Sequence, residues 1–297
     1  MNDKAYKIQI QDVEKNYGDK RVLDNVDLNV SDGEFCTLVG PSGCGKSTLL
    51  RLILGQEQPT VGEVLIEGKR AGFPDIHRGI VFQKYSLFPH LTVMQNVLLG
   101  KRLTNNRWWL PWPKNKQYEE EAMHYLSQVR LADAKDKYPH ELSGGMQQRA
   151  AIAQALIMKP PALLMDEPFG ALDPDTREDV QLFLLDLWEK EKLTIFFVTH
   201  DLEEACFLGS RLLVLSQYYT DDRGEHDGVN RGGKIVYDNK MSDYCRSTNV
   251  KDSKDFTQLV AEIREQGFDP NIRQHVKAFN LAHPDSYQTL TDEESRI

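Results

Sequence analysis

The chain predicts an α/β fold around a largely parallel sheet, on three observations. Short apolar runs of strand length recur along its 297 residues, with helical patterns between several of them. Such alternation makes βα units. The glycine-rich stretch GPSGCGKST, Gly40–Thr48, follows the apolar run FCTLV and opens a helical pattern, the strand–loop–helix order in which amides and a helix start receive an anion. The early runs near Ile8–Val30 and Gly62–Gly68 lack intervening helices and predict an antiparallel annex.

Along the chain, the strand-like runs are KIQIQDV, VLDNVDLNV, EFCTLVG, EVLIEG, GIVFQ, ALLMD, TIFFVTH, RLLVLS and KIVYD. A helix over Lys46–Leu54 begins at the glycine-rich loop and stops at Gly55, the residue type that closes helices in the left-handed conformation. Tyr118–Arg130 is charged on one side and is expected to be largely exposed. GMQQRAAIAQALIM, headed by Ser143, carries apolar residues that suit burial. Thr176–Lys192 sets Val180, Leu184, Leu187 and Trp188 on one apolar stripe. Asp201 with Glu204 makes an acidic capping pattern for Leu202–Leu208.

Three stretches read as additions. Lys101–Gln117 is basic, proline-broken and holds three tryptophans. It is either a solvated loop whose tryptophans pack on the helical part, or a contact with a membrane subunit or lipid headgroups. Gln217–Gly233 reads as a long loop between two strands. After about Val250, Phe256, Leu259, Val260 and Ile263 fit one amphipathic helix ending near Gly267. Its role is open between regulation and packing against a partner. The division expected is residues 1–250 for the main domain, with helices concentrated at about 84–160, and 251–297 for a partly helical extension.

Composition narrows the function. No apolar stretch reaches the eighteen or so residues of a membrane-spanning helix, and MNDKAYKIQI has neither the basic nor the apolar region of a secretory signal. A membrane role therefore implies docking onto another subunit. The net charge of −9, from 36 basic and 45 acidic residues, argues against a nucleic-acid partner, whose phosphates call for a basic excess. Cys36, Cys44, Cys206 and Cys245 show no metal-ligand spacing and fit a reduced compartment.

The chemistry concentrates in a few places. Gly40, Pro41, Ser42, Gly43, Cys44, Gly45, Lys46, Ser47 and Thr48 spell the phosphate-binding pattern G-x-x-x-x-G-K-[ST] and continue it by one residue. Glycines let backbone N–H groups turn towards phosphate oxygens. Lys46 then reaches the β- and γ-phosphates of ATP, and the Ser47 hydroxyl ligates Mg²⁺. Asp166 ends the run ALLMD, so a buried strand delivers its carboxylate to the sheet edge as a second metal ligand. Glu167 follows, directed towards an attacking water. Cys44 sits among loop amides, a setting that lowers a thiol's pKa. Either it is alkylated in competition with ATP, or it fills a variable position. Ser143, Gly144 and Gly145 head a helix with a hydroxyl and bare amides, a second anion receptor.

LSGGMQQR at Leu142–Arg149, between that loop and ALLMDE, resembles the signature of ABC transporter ATPases, over roughly Ile8 to Asp238. The resemblance implies a P-loop NTPase with a RecA-like parallel-sheet core, an antiparallel β-subdomain and a helical subdomain. It makes Gln83 the residue that contacts Mg²⁺ and water, His200 the γ-phosphate switch, Tyr17 the ring that stacks on adenine, and Asp173 the coupling aspartate. It also implies that Ser143–Gly145 close on the nucleotide of a second ATP-binding subunit. A two-fold dimer then completes both sites.

The stretches RGIVFQKYSLFPHLTVMQNV, EPFGALDPDTRE and VTHDLEEACFLGSRLLVLS are similar to the nitrate/sulfonate/taurine importer group. That group implies integral-membrane permease subunits docked on Lys84–Val97, an extracytoplasmic solute-binding protein, and a peripheral place on the cytoplasmic face of the plasma membrane. His90 departs from the Pro-Trp of many relatives, and the three additions are not standard. The other classes are an ABC-type ATPase of translation or DNA repair, another transporter class, or an inactive partner subunit. Intact Glu167, Ser143 and His200 count against the last.

Overall fold

The structure is a computed structural model that describes residues 5–72, 79–82, 87–104, 116–223, 231–241, 254–291 and 294. Its chain divides into two compact units, Met1–Pro74 with Phe196–Ile297, and Asp75–Ile195. The extension after residue 250 belongs to the first unit.

Numbered along the chain, the first unit opens with strands β1 (Ile8–Tyr17), β2 (Lys20–Val30), β3 (Phe35–Val39), helix α1 (Lys46–Leu54), β4 (Val61–Ile66) and β5 (Lys69–Arg70). The order β2-β1-β4-β5 makes a four-stranded antiparallel sheet, the annex expected from the sequence. Later come β8 (Ile195–Val198), α6 (Leu202–Leu208), β9 (Arg211–Ser216), β10 (Tyr219–Thr220), β11 (Lys234–Lys240), α7 (Lys254–Gly267) and β12 (Gln274–His275). Strands β11, β9, β3 and β8 neighbour one another in that order. β3 and β9 run parallel, and β11 returns antiparallel to β9. Every residue of β3, β8 and β9 is buried, as continuous apolar runs covered on both faces require.

The second unit holds β6 (Gly79–Phe82), α2 (Val93–Thr104), α3 (Lys116–Gln128), α4 (Gly144–Leu156), β7 (Leu163–Asp166) and α5 (Pro174–Glu191). β6 and β7 pair in parallel. On α5, Val180, Leu184 and Leu187 are buried as their spacing predicts, joined by Phe183 and Leu185, while Trp188 is half-buried. Among the described residues no helix is long and apolar enough to cross a membrane.

Several boundaries differ from the sequence reading. α3 runs Lys116–Gln128 rather than 118–130, because Arg130 adopts a left-handed φ of 57° beyond the helix end. It also buries Ala122 and Leu126. The stretch 101–117 is not all loop. Its first four residues finish α2 and its last two start α3, and Lys101 pairs with Glu121 at 2.8 Å across the two helices. Residues 105–115, with the tryptophans, lie outside the described residues. The stretch 217–233 joins β9 to β11 as expected; 224–230 lie outside the described residues, while Tyr219 and Asp221 are buried and β10 pairs in parallel with β12. Charged partners, described below, draw it inward.

The tail winds back over the first unit. α7 sets Phe256, Val260 and Ile263 into a cluster with Val214 and Val236. Further on, Asp238 exchanges backbone hydrogen bonds with Asn280 and His283. The Tyr287 hydroxyl donates to the Ile10 carbonyl at 2.7 Å, and the Thr289 amide donates to Asp27 at 2.6 Å. The apolar stripe of α7 forecast a helix but not these returns.

Candidate functional site

The predicted site residues fall in both units. In the first, β3 feeds Gly40–Gly45 and α1. Gly43 and Gly45 take φ of 80° and 106°, open to glycine at no steric cost. Space also demands glycine: a Cβ at Gly40 would stand 2.0 Å from the Leu215 oxygen, and one at Gly45 2.7 Å from Leu23 Cδ2. α1 starts at Gly45 with no side-chain cap, which leaves its first amides to whatever the loop holds. Lys46 is buried and its ammonium donates to the Gly40 and Pro41 carbonyls at 2.7 and 3.2 Å. A cation curled inside glycine-turned backbone fits a phosphate group, because charged acceptors outbid neutral carbonyls. Ser42, Gly43 and Ser47 are exposed, and Thr48 is buried.

Cys44 corrects an expectation. Its side chain is 1 % exposed, and burial pushes the thiol above its ordinary pKa despite the nearby Lys46 charge. The Lys46 and Cys44 amides also bond the thiol and oppose that rise, but burial outweighs them, and of the two readings it is the filled position that this burial supports.

Tyr17 ends β1 and is 43 % exposed. Its hydroxyl donates to Glu57, which also pairs with Lys15 at 3.2 Å and Arg51 at 2.9 Å. Lys15 Nζ lies 5.0 Å from the ring centroid. Partial burial and the Glu57 carboxylate raise the phenol's pKa. Glu57, forty residues away in sequence, carried no local signal of this tether.

His200 follows β8 and is exposed. The Thr199 amide donates to the Leu38 carbonyl at 3.1 Å, so the histidine stands beside the end of β3 where the glycine-rich loop begins. Asp201 caps α6 by accepting from the Glu203 and Glu204 amides. Glu204 does not complete a reciprocal box; it accepts the Thr199 hydroxyl proton at 2.6 Å instead. His200 opens onto a cleft of about 660 Å³ whose far wall is Arg264, Phe268, Asp269 and Pro270 of the tail.

In the second unit, β7 ends at Asp166, in register with Phe82 of β6. Gln83 comes next after Phe82 and lies outside the described residues. Glu167 adopts a left-handed φ of 46°, so the chain turns sharply between the two carboxylates. For a non-glycine residue this costs on the order of 1–3 kcal/mol and is typical of functional positions. Ser143 is exposed and caps α4, accepting from the Met146 amide at 3.3 Å. Gly144 is half-buried, and Gly145 packs so closely that a Cβ would stand 2.5 Å from Thr176 Cγ2 of α5. Asp173 caps α5 through the Thr176 amide at 3.1 Å, and that bond lowers its pKa. The signature start and Asp173 are thus joined by α5.

In the Lys84–Val97 stretch, 84–86 lie outside the described residues. The turn before α2 is pinned by Asn96, fully buried, whose side chain bonds the Phe88 amide and the Phe88, Leu91 and Thr92 carbonyls. Elsewhere, Glu34, His283 and Asp285 hold ligand atoms within 4.8 Å of one another. Each already has protein partners. His283 Nδ1 already accepts from the Asp285 amide, Glu34 serves Arg211, and Asp285 takes the Ser31 hydroxyl.

Known proteins resemble this chain in sequence and in fold. The family model described as ABC transporter matches residues 23–170. The chain is 49% identical over 196 residues to an uncharacterised ABC transporter ATP-binding protein of Methanocaldococcus jannaschii, covering 66% of this chain and 71% of that one. It is 46% identical over 215 residues to the aliphatic sulfonates import ATP-binding protein of Bacillus subtilis, covering 72% and 78%. Among solved structures it is similar to an ATP-binding cassette of an ABC transporter in its ADP conformation, with TM-score 0.67, 25% identity and 86% and 98% coverage. A dimeric bacterial ABC transporter cassette matches with TM-score 0.61, 32% identity and 79% and 98% coverage.

Proposed function

Because the chain belongs to the ABC transporter family, whose ATP-binding cassettes hydrolyse ATP, we propose that it powers a membrane importer for a small sulfonate-like or related polar solute. The observation that carries the nucleotide site is Lys46, buried inside glycine-turned backbone with carbonyls for acceptors. The solute follows the likeness to the Bacillus subtilis sulfonate protein.

In this reading Gly40–Thr48 wrap the phosphates of ATP and Tyr17 supports the adenine ring. Ser47, Asp166 and Gln83 would hold Mg²⁺, an all-oxygen donor set that suits a hard cation. Bound there, it would supply positive charge to offset that of the phosphates. Glu167 orients the attacking water and accepts its proton; His200 holds the γ-phosphate. Ser143, Gly144 and Gly145 serve the nucleotide of a second cassette, with Asp173 linking the sites. The similar cassette of known structure is dimeric. Permease subunits dock at Lys84–Val97 on the cytoplasmic face of the membrane, fed by an extracytoplasmic solute-binding protein.

Steady-state ATP hydrolysis by the full chain, followed against protein concentration, tests the shared site. Turnover per chain should rise as cassettes pair, and solubilised membranes should yield the chain with its permease. Full turnover in a preparation that light scattering shows to be monomeric would overturn it. Loss of growth on an alkanesulfonate as sole sulfur source, after deletion of the chain, tests the solute; undiminished growth rejects it.

A further inference from the structure

The glycine-rich loop is held from behind by two segments distant in sequence. A Cβ at Gly233 would stand 2.1 Å from the Cys44 carbonyl oxygen, so the backbone at 233 lies directly against the loop. Gly233 also bonds β2 in both directions, donating to the Val22 carbonyl at 2.8 Å and accepting from the Asp24 amide at 3.1 Å. Val22 and Leu23 in turn crowd Gly45. The placement of residues 232–234 therefore sets the back wall of the loop.

That placement is governed by buried charge. Asp24, Asp221, Lys234 and Glu294 are each less than 5 % exposed. Asp24 accepts from the Tyr219 hydroxyl at 2.8 Å and from Arg223 at 2.7 Å. Asp221 accepts from Arg223 and Arg231 at 2.6 and 2.9 Å. The Lys234 ammonium donates to the Asn25 carbonyl at 3.2 Å and pairs with Glu294 at 2.9 Å, and Glu294 also faces Arg223 at 3.6 Å. Glu294 comes from the far end of the tail. Taking its charge away leaves Lys234, the neighbour of Gly233, without its ion-pair partner and with the more distant Asp24 charge as compensation, and a buried cation so weakly compensated favours local rearrangement. Tyr287 and Thr289 fasten the preceding tail independently, so the change stays local.

We propose that Glu294 is a positioning residue for the phosphate loop: the tail returns one carboxylate to Lys234 and so holds Gly233 against Cys44. This rests on reading Gly40–Thr48 as the ATP site, although Glu294 touches no nucleotide.

Cys36, Cys44 and Cys206, three buried thiols among the described residues, report on it. Alkylation with iodoacetamide, resolved by peptide mass spectrometry on nucleotide-free full chain, compares wild type with Glu294→Gln. The expected result is Cys44 labelling faster on the order of tenfold through local opening, with Cys36 and Cys206 unchanged. The KM for ATP should rise by a similar factor with kcat within about twofold, because ground-state binding is what weakens. Lys234→Gln combined with Glu294→Gln should restore both readouts, since no unpaired ammonium remains. An unchanged Cys44 rate, or all three thiols quickening together, overturns the proposal. Failure of the wild type to bind ATP would sink the function above instead, while the Cys44 comparison still reads the loop.

Discussion

Lys46 and Glu167 illustrate what single residues contribute. Lys46 is a buried cation satisfied by carbonyls of its own loop, and its charge is worth most to a charged acceptor. Glu167 sits in a left-handed turn immediately after Asp166, so the two carboxylates need not share a direction. If Glu167 handles the water rather than the nucleotide, Glu167→Gln keeps ATP affinity and loses turnover by ~10²-fold. Equilibrium binding and phosphate release on the same preparation check this, and near-normal release refutes the role. At this scale the motifs were legible because each spans fewer than ten residues. For Cys44 the sequence left an activated thiol and a space-filling one open; its burial favours the second, and no neighbour in sequence reveals it. The Glu57 tether on Tyr17 escaped for the same reason.

Elements were legible wherever a periodic pattern or a cap fixed them. Ser143, Asp173 and Asp201 each cap the helix they precede, and β3, β8 and β9 are the buried strands that their apolar runs predict. Within the connection from β9 to β11, the polar composition hid that Tyr219 and Asp221 are buried; Arg223 and Arg231 pair with Asp221 and Asp24 there. That pairing has a pH signature. Burial opposes ionisation of Asp221, but Arg223 and Arg231 outweigh it and bring the carboxyl down to about 2. An unfolded aspartate titrates near ~3.9, so the folded value is the lower one. The contribution of Asp221 is complete above that value and is lost as pH falls through about 2. Urea midpoints should therefore drop more steeply between pH ~4 and ~2 in the wild type than in Asp221→Asn. Parallel slopes would show that Asp221 is not the titrating group.

At the scale of the whole molecule, the tail is part of the first unit rather than an appendage. Phe256, Val260 and Ile263 are buried against Val214 and Val236, and at ~1.5–3 kcal/mol for each buried side chain they amount to a large share of a domain's net stability. Deleting 254–297 should yield aggregation or a Tm lowered by roughly 10 °C or more, by calorimetry; a soluble truncation melting like the full chain would contradict this. The sequence by itself determined the class of fold, the phosphate-binding loop and the family, because glycine conformations, helix caps and apolar periods act over a few neighbouring residues. Tertiary structure alone decided where the tail goes, that Cys44 is buried, and how Lys234 finds Glu294. Those depend on burial, which makes a charge seek a partner wherever along the chain one is folded into reach.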